Sequence, residues 1–208
     1  MAEQLGRHVG MVHYSTGELF RQEIRRHSAL GHAVSRYVSA GRLVPDRLVV
    51  DVMTHQLTPQ LLSKGFVLDG FPRTVGQAKG LDQFLLPRRR PLDAALYLAC
   101  PQAVLIQRLS GRRVCSRCGA IYHLRTMPPK RTGICDRCHG KLVVRKDDEV
   151  ATVKNRLAID RGQAKPLLAY YRQRGLLYRL NGTGTSTQVL QRVIRLFRRQ
   201  GWVQTSDQ

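Results

Sequence analysis

The chain has 208 residues and a net charge of +21, from 35 lysines and arginines against 14 acidic residues. A hydrophobic content of 42% supports a real core, and the length suits one α/β domain with a small insertion. No apolar run is long enough to cross a membrane, and Met1–His8 lacks the apolar stretch of a signal peptide, so no membrane partner is expected and a cytoplasmic location is the default.

In chain order, Gly10–Tyr14 reads as a weak strand. Ser15-Thr16-Gly17-Glu18 then starts a helix, with a hydroxyl cap and an acid at its positive end, running to about Arg26. A second helix fits Gly31–Ala40. Gly41-Arg42-Leu43-Val44-Pro45-Asp46 breaks it, and Pro45 opens a third helix to about Leu62. Phe66-Val67-Leu68 is a short apolar run suited to a buried strand. A helix follows over 75–85, then a basic loop from Pro87 to Pro91 that holds the Arg88-Arg89-Arg90 run. Residues 94–98 form another buried strand, and Pro101 begins a helix ending near Gly111. Residues 112–146 change character and read as an insertion. Asp147-Asp148-Glu149 opens a long helix, acidic at its positive end. A strand at 176–180, a turn at 181–184 and a helix at 187–199 complete the chain. Arg192, Arg195 and Arg199 recur at helical spacing and read as a solvated face in preference to a nucleic-acid stripe. Alternating strands and helices imply a parallel sheet with helices on both faces.

Two segments carry chemistry. In the first, Asp69 ends a strand, Gly70 permits close approach, Pro72 stiffens the turn, and Arg73 offers a planar fork of donors to phosphate. A carboxylate that can face Mg²⁺ and an arginine that can face phosphate thus share one loop. In the second, Cys115-x2-Cys118 and Cys135-x2-Cys138 have the spacing of a four-thiolate zinc site. Four such ligands close the site, so the metal is structural. His123 and His139 are then unneeded, and Cys100 is a small hydrophobe. Zinc would fold a segment too small for a core of its own, and a rigid flap over a crevice makes a lid that excludes water.

With these pieces the chain resembles the adenylate kinases of the bacterial type with a zinc-bearing lid. The resemblance rests on Ser15-Thr16-Gly17-Glu18-x-x-Arg21, Gly41–Asp46, Asp69-Gly70-Phe71-Pro72-Arg73-Thr74-x-x-Gln77, Gly111–Cys115, Tyr122-His123, Arg145–Asp148 and Lys154–Leu157. It implies a P-loop nucleoside monophosphate kinase fold, divided into a core (1–14, 45–110, 149–208), an AMP-binding subdomain (15–44) and a lid (111–148). It implies an AMP site of Thr16, Arg21, Arg42, Leu43, Val44, Gly70, Phe71, Pro72, Arg73 and Gln77, whose amide suits adenine. Arg108 would meet the ATP base and Arg112 its phosphates, the two sharing a helix face four residues apart. Ile121, Tyr122 and Gly184 would border the ATP adenine. Arg145 and Arg156 would reach the transferring phosphoryl group, and Asp69 would help hold Mg²⁺ through water. Asp147 and Asp148 match the acidic pair at the lid hinge. The implied reaction is MgATP + AMP = 2 ADP, with ATP, AMP and ADP as partners and the monomer as default.

The family begins with a buried strand and a glycine-rich loop ending Gly-Lys-[Ser/Thr], and the 208 residues contain no G-x-x-x-x-G-K-[ST]. Met1–Leu5 corresponds to the helix after that loop, so roughly 15–20 residues are expected to be absent before it. Two explanations stand: a start placed too late, or a defective or repurposed relative. Either way the 208-residue chain is expected to have poor stability and very low kinase activity. A zinc-ribbon nucleic-acid-binding protein is the alternative from another class. It leaves the 69–74 loop without purpose, so nucleic acid is not an expected partner.

Overall fold

The expected alternation of helices and strands is present in a computed structural model, which describes residues 1–203. Helix α1 (Ala2–Val9) ends at Gly10 in the left-handed region, and β1 (Val12–Ser15) follows. The Ser15 side chain caps α2 (Thr16–Arg25), and Ser28 caps α3 (Ala29–Ser39) by accepting the Gly31 N–H. Then come α4 (Asp46–Gln56), α5 (Pro59–Lys64), β2 (Phe66–Asp69), α6 (Val75–Leu85), β3 (Ala95–Ala99) and α7 (Gln102–Ser110). The insertion supplies β4 (Arg112–Cys115), β5 (Ile121–His123) and β6 (Leu142–Val143). Helix α8 (Val150–Gln173), β7 (Leu177–Asn181) and α9 (Ser186–Arg199) close the described chain.

Three boundaries differ from the sequence reading, each for a local reason. The helix expected from Pro45 to Leu62 is two helices. Thr58, forced extended by the proline after it, ends one, and Pro59 starts the other. Arg112 does not continue the helix of Arg108: α7 stops at Ser110, and Arg112 pairs with His123 in the β4–β5 ladder. Gly111 makes that junction possible, since a Cβ there would lie 2.4 Å from His123 Nε2. Finally, Asp147 and Asp148 sit in a short 3-10 turn before α8 rather than in its first turn, so they are free to meet arginines.

The strands form parallel pairs β1–β2 and β3–β7, and β4 is the centre of an antiparallel β5-β4-β6 sheet. In the first pair Ser15 stands opposite Asp69, so the ends of β1 and β2 release their loops side by side. One core gathers Phe20, Val34, Val44, Val49, Met53, Phe71 and Leu81 beneath those loops. Helices α2 and α3 touch closely there: a Cβ on Gly31 would lie 2.2 Å from the Glu23 carbonyl oxygen. A second core, Leu5, Val193 and Phe197, is built by α1 and α9 against Val67 of β2 and Leu96, Leu98 and Leu180 of the other pair. The insertion's buried hydrophobic centre is Cys115, Tyr122, Cys135 and Leu142, with Val114 of β4 also buried.

Candidate functional site

The loops released by β1 and β2 open on a cleft of about 290 Å³. Its lining includes Thr16, Arg21, Arg42, Leu43, Val44, Asp69, Gly70, Arg73, Gln77, Arg112, Arg145, Asp147 and Arg156. The loop after β2 is fixed first. Thr16, itself buried, donates from Oγ1 to the Gly70 carbonyl at 3.0 Å. Gly70 has φ 74°, a conformation that glycine takes without a Cβ penalty. Arg73 Nε donates back to the Gly70 carbonyl at 2.9 Å, and the Arg73 N–H donates to Gln77 Oε1 at 2.8 Å. Phe71 turns into the core, so its contribution to the site is backbone only.

Gln77 is held from its other end too, because its Nε2 donates to Asp46 Oδ1 at 2.9 Å. Thr74 donates to the second oxygen of Asp46 at 2.8 Å and caps α6 by accepting the Gln77 N–H. Asp46 therefore sets the position of both residues. The sequence offered it only as the end of a helix-breaking segment.

Each of the cleft arginines Arg21, Arg73, Arg112, Arg145 and Arg156 faces a carboxylate. Arg21 lies 3.3 Å from Glu18 and 3.5 Å from Asp147, and Arg145 lies 3.8 Å from Glu18. Arg156 lies 3.9 Å from both Asp147 and Asp160, and Arg73 lies 3.7 Å from Asp160. These long, part-exposed pairs hold little stability singly. Their meaning is electrostatic: several guanidinium groups are crowded and part-buried in one cleft. Burial first, then the charges of Arg21 and Arg112, lowers the pKa of Arg145 to about 10. Burial likewise lowers Arg73, with Arg156 adding to it and Asp160 opposing. A multiply charged anion would relieve that strain better than these carboxylates do.

Glu18 and Asp160 were not singled out as site residues from the sequence. Nothing local marks Asp160. Its role follows from lying one helical turn after Arg156 on α8. Burial alone would raise the Glu18 pKa, but hydrogen bonds and charge from Arg25 and Arg21 outweigh it and leave it lowered. A lowered carboxyl pKa gives stability that is present above the unfolded value of 4.5 and is lost as pH falls through the folded one. The expected result is that Glu18→Gln flattens the acid limb of a thermal-midpoint-versus-pH profile below about pH 4.5. An unchanged limb would remove Glu18 from that account.

Arg112 is different in kind. Its Nε donates to Asp148 Oδ2 at 2.7 Å and its Nη2 to Asp148 Oδ1, a two-bond fork on a carboxylate with no exposed side-chain surface. Breaking such a pair strands a buried charge. Asp148→Ala should cost about 3 kcal/mol in urea unfolding, whereas Arg112→Leu/Asp148→Leu together should cost less than either alone. Additive losses would argue against a buried pair.

Asp69 ends β2 half-exposed, 3.5 Å from His13 Nε2, and lines the cleft. The residues that the resemblance assigns to ATP are not all gathered there. Arg112 lines the cleft, whereas Arg108 donates to the carbonyls of Gly182 at 2.9 Å and Gly184 at 2.6 Å outside it. Ile121 is exposed on β5. Tyr122 is buried, its hydroxyl 3.5 Å from Cys135 Sγ and accepting the Asp136 N–H at 2.8 Å, so its side chain belongs to the insertion's centre.

The four thiols of Cys115, Cys118, Cys135 and Cys138 lie within 4.8 Å of one another. Tetrahedral thiolates at ordinary zinc distance stand about 3.8 Å apart, and the close pairs here are 3.4 Å and 3.6 Å. The hydrogen bond from Tyr122 lowers the Cys135 thiol to about 6. At Cys118 the Ala120 N–H favours the thiolate, yet the thiols of Cys138, Cys135 and Cys115 push it up to about 12. Four thiolates cannot form there without a cation, so the donor set fits a metal ion.

The family model described as adenylate kinase matches residues 1–176. A protein named adenylate kinase from Desulfitobacterium hafniense (strain Y51) is 44% identical over 182 residues, 88% of this chain and 84% of its own length. Another of that name from Clostridium botulinum (strain Hall) is 43% identical over 188 residues, 90% of this chain and 87% of its own. One from Clostridium tetani is 41% identical over 192 residues, 92% and 89% of the two chains.

Proposed function

Since the chain belongs to the adenylate kinase family and so is a nucleoside monophosphate kinase, we propose that its arginine-lined cleft is the AMP site, where AMP takes the phosphoryl group of MgATP. The observation that carries this reading is the convergence of Arg21, Arg73, Arg112, Arg145 and Arg156, each held by a carboxylate, on one cleft.

AMP enters with its phosphate toward Arg73, Arg21 and Arg156 and its base toward Thr16, Gly70 and Gln77. The backbone of Arg42 to Val44 walls the other side. Gln77, clamped by Asp46 and the Arg73 N–H, presents the base with an amide whose orientation is already set. The AMP phosphate oxygen attacks the γ-phosphorus in line. The bond from that phosphorus to the bridging oxygen breaks, and both products are ADP. Positioning and charge neutralisation supply the acceleration, with no protein nucleophile. Arg145 and Arg156 spread the charge of the transferring group, and Arg112 meets the donor phosphates, with Arg108, Ile121, the Tyr122 backbone and Gly184 toward the donor base. Arg21, Arg73, Arg145 and Arg156, held only by long pairs, can exchange a carboxylate for phosphate, whereas Arg112 stays forked on Asp148. Asp69, half-exposed where β2 ends at the cleft, suits a water-mediated hold on the Mg²⁺ that accompanies ATP and neutralises its phosphates.

The four-cysteine cage takes a structural zinc, and the segment around it, hinged at Asp147 and Asp148, serves as the lid. The reading places the protein in the cytoplasm as a monomer acting on adenine nucleotides. Isothermal titration with AMP, CMP, UMP and GMP tests the site. AMP should bind at least about tenfold more tightly than the others, a difference of about 1.4 kcal/mol. Equal affinities would overturn the assignment of Gln77 and Thr16 to adenine.

A further inference from the structure

Read along the sequence, the arginines outside the cleft are scattered; in the fold several of them gather. The loop between α6 and β3 carries Arg88, Arg89 and Arg90, all exposed. The first residue of β3, Ala95, donates its N–H to the Leu176 carbonyl, which places the end of α8, with exposed Arg174, beside that loop. The end of α9 reaches the same edge: Gln200 accepts from the Tyr178 hydroxyl at 3.2 Å, and Trp202 packs edge-on to Tyr178 at 5.3 Å. Exposed Arg198 and Arg199 precede them. The segments 82–95, 170–179 and 195–202 contain only Asp82 and Asp93 as carboxylates, and Asp82 is engaged by Tyr170 and Arg174. None of these arginines lines the cleft.

Two of the guanidinium planes are fixed rather than free. Arg88 lies 3.8 Å over the Phe84 ring and donates to the Phe84 carbonyl. Arg174 lies 4.1 Å over the Tyr170 ring. A backed guanidinium presents its outer face flat to solvent, where an unstacked base can lie on it while neighbouring arginines hold phosphates.

We infer that this face, at the start of β3 and β7, is a binding surface for the sugar-phosphate backbone of single-stranded nucleic acid, separate from the nucleotide cleft. Arginine rather than lysine supplies the charge, which suits bidentate phosphate contact and stacking. An anionic bilayer is the other polyanion to weigh. Lasting attachment to one takes a second, apolar signal, and among the described residues the only large hydrophobic side chain strongly exposed on this face is Leu86.

The test is fluorescence anisotropy of a labelled single-stranded RNA of about 20 nucleotides, from about 50 to 300 mM KCl. Arg88→Ser/Arg89→Ser/Arg90→Ser should weaken binding at least about tenfold at the middle of that range and lower the slope of log K against log salt by about 2–3. Arg198→Ser/Arg199→Ser should weaken it as well. A control, Arg36→Ser/Arg47→Ser/Arg125→Ser, removes the same charge from exposed positions elsewhere and should change affinity less than about threefold. AMP affinity should be unchanged in all three. Equal loss in the control, or binding of phosphatidylglycerol–phosphatidylcholine vesicles at a salt concentration where RNA does not bind, would overturn the proposal.

Discussion

Arg73→Ala should weaken AMP binding by about 30- to 700-fold, the range that corresponds to losing about 2–4 kcal/mol from a buried charge-assisted contact. The reason lies in how the side chain is spent in the free protein. Its Nε is fixed on the Gly70 carbonyl, and its terminal nitrogen reaches Asp160 only at 3.7 Å. Burial and Arg156 make its charge costly there. A phosphate dianion repays that cost directly, so removal of the guanidinium loses the strongest counter-charge of the acceptor site. Arg73→Lys keeps the charge but not the fork that bonds Gly70 and phosphate together, so it should recover only part of the loss. The measurement is calorimetric titration with AMP beside adenosine. Adenosine, without phosphate, should bind the variant and the parent alike. A comparable loss for adenosine would mean that Arg73 shapes the loop rather than meeting the phosphate.

The ease of reading this site from sequence divides along the range of the interactions. Asp69, Gly70 and Arg73 could be singled out because a strand end, a turn glycine and a guanidinium suited to phosphate are neighbours in the chain. The cysteines were legible because a metal cage imposes its own spacing. Glu18, Asp46 and Asp160 were not, because part of what makes each a site residue lies far along the chain: Arg145 for Glu18, Thr74 and Gln77 for Asp46, and Arg73 for Asp160. Arg21 and Asp147 are separated by 126 positions and still face one another. The same limit explains Arg112. Its spacing from Arg108 satisfies a helix, and only the β4–β5 pairing, which needs His123 opposite it, draws it out of one. It also explains the charge. Scattered arginines on three separate segments become one face only when β3 and β7 pair and α9 folds back onto Tyr178.

Cys135→Ser should release the metal and unfold the insertion while leaving the two cores folded. Bound metal, measured by atomic emission on the purified chain, should fall from about one ion per chain to near zero. Amide protection across residues 112–143 should drop by at least about 1000-fold, equivalent to about 4 kcal/mol of local stability. The size of the effect follows from what else holds this segment. Two of its five buried hydrophobic residues are themselves cysteines of the cage, and β6 has only two residues. The Tyr122 hydroxyl is oriented by Cys135 Sγ and the Asp136 N–H, so it loses an anchor with the same substitution. Beyond the cage, Gly140 lets the second knuckle close: a Cβ there would lie 3.0 Å from Cys115 Sγ. Few apolar contacts remain to compensate, and a segment this small does not close on hydrogen bonds alone. By contrast the core of Phe20, Val34, Met53 and Leu81 shares no residue with the insertion and should keep its protection. Cys100→Ser, at a thiol outside the cage, is the control and should leave the metal content unchanged. Retained protection over 112–143 in the metal-free variant would mean that β4, β5 and β6 fold on their own side chains, and the cage would then be an addition to the insertion rather than its foundation.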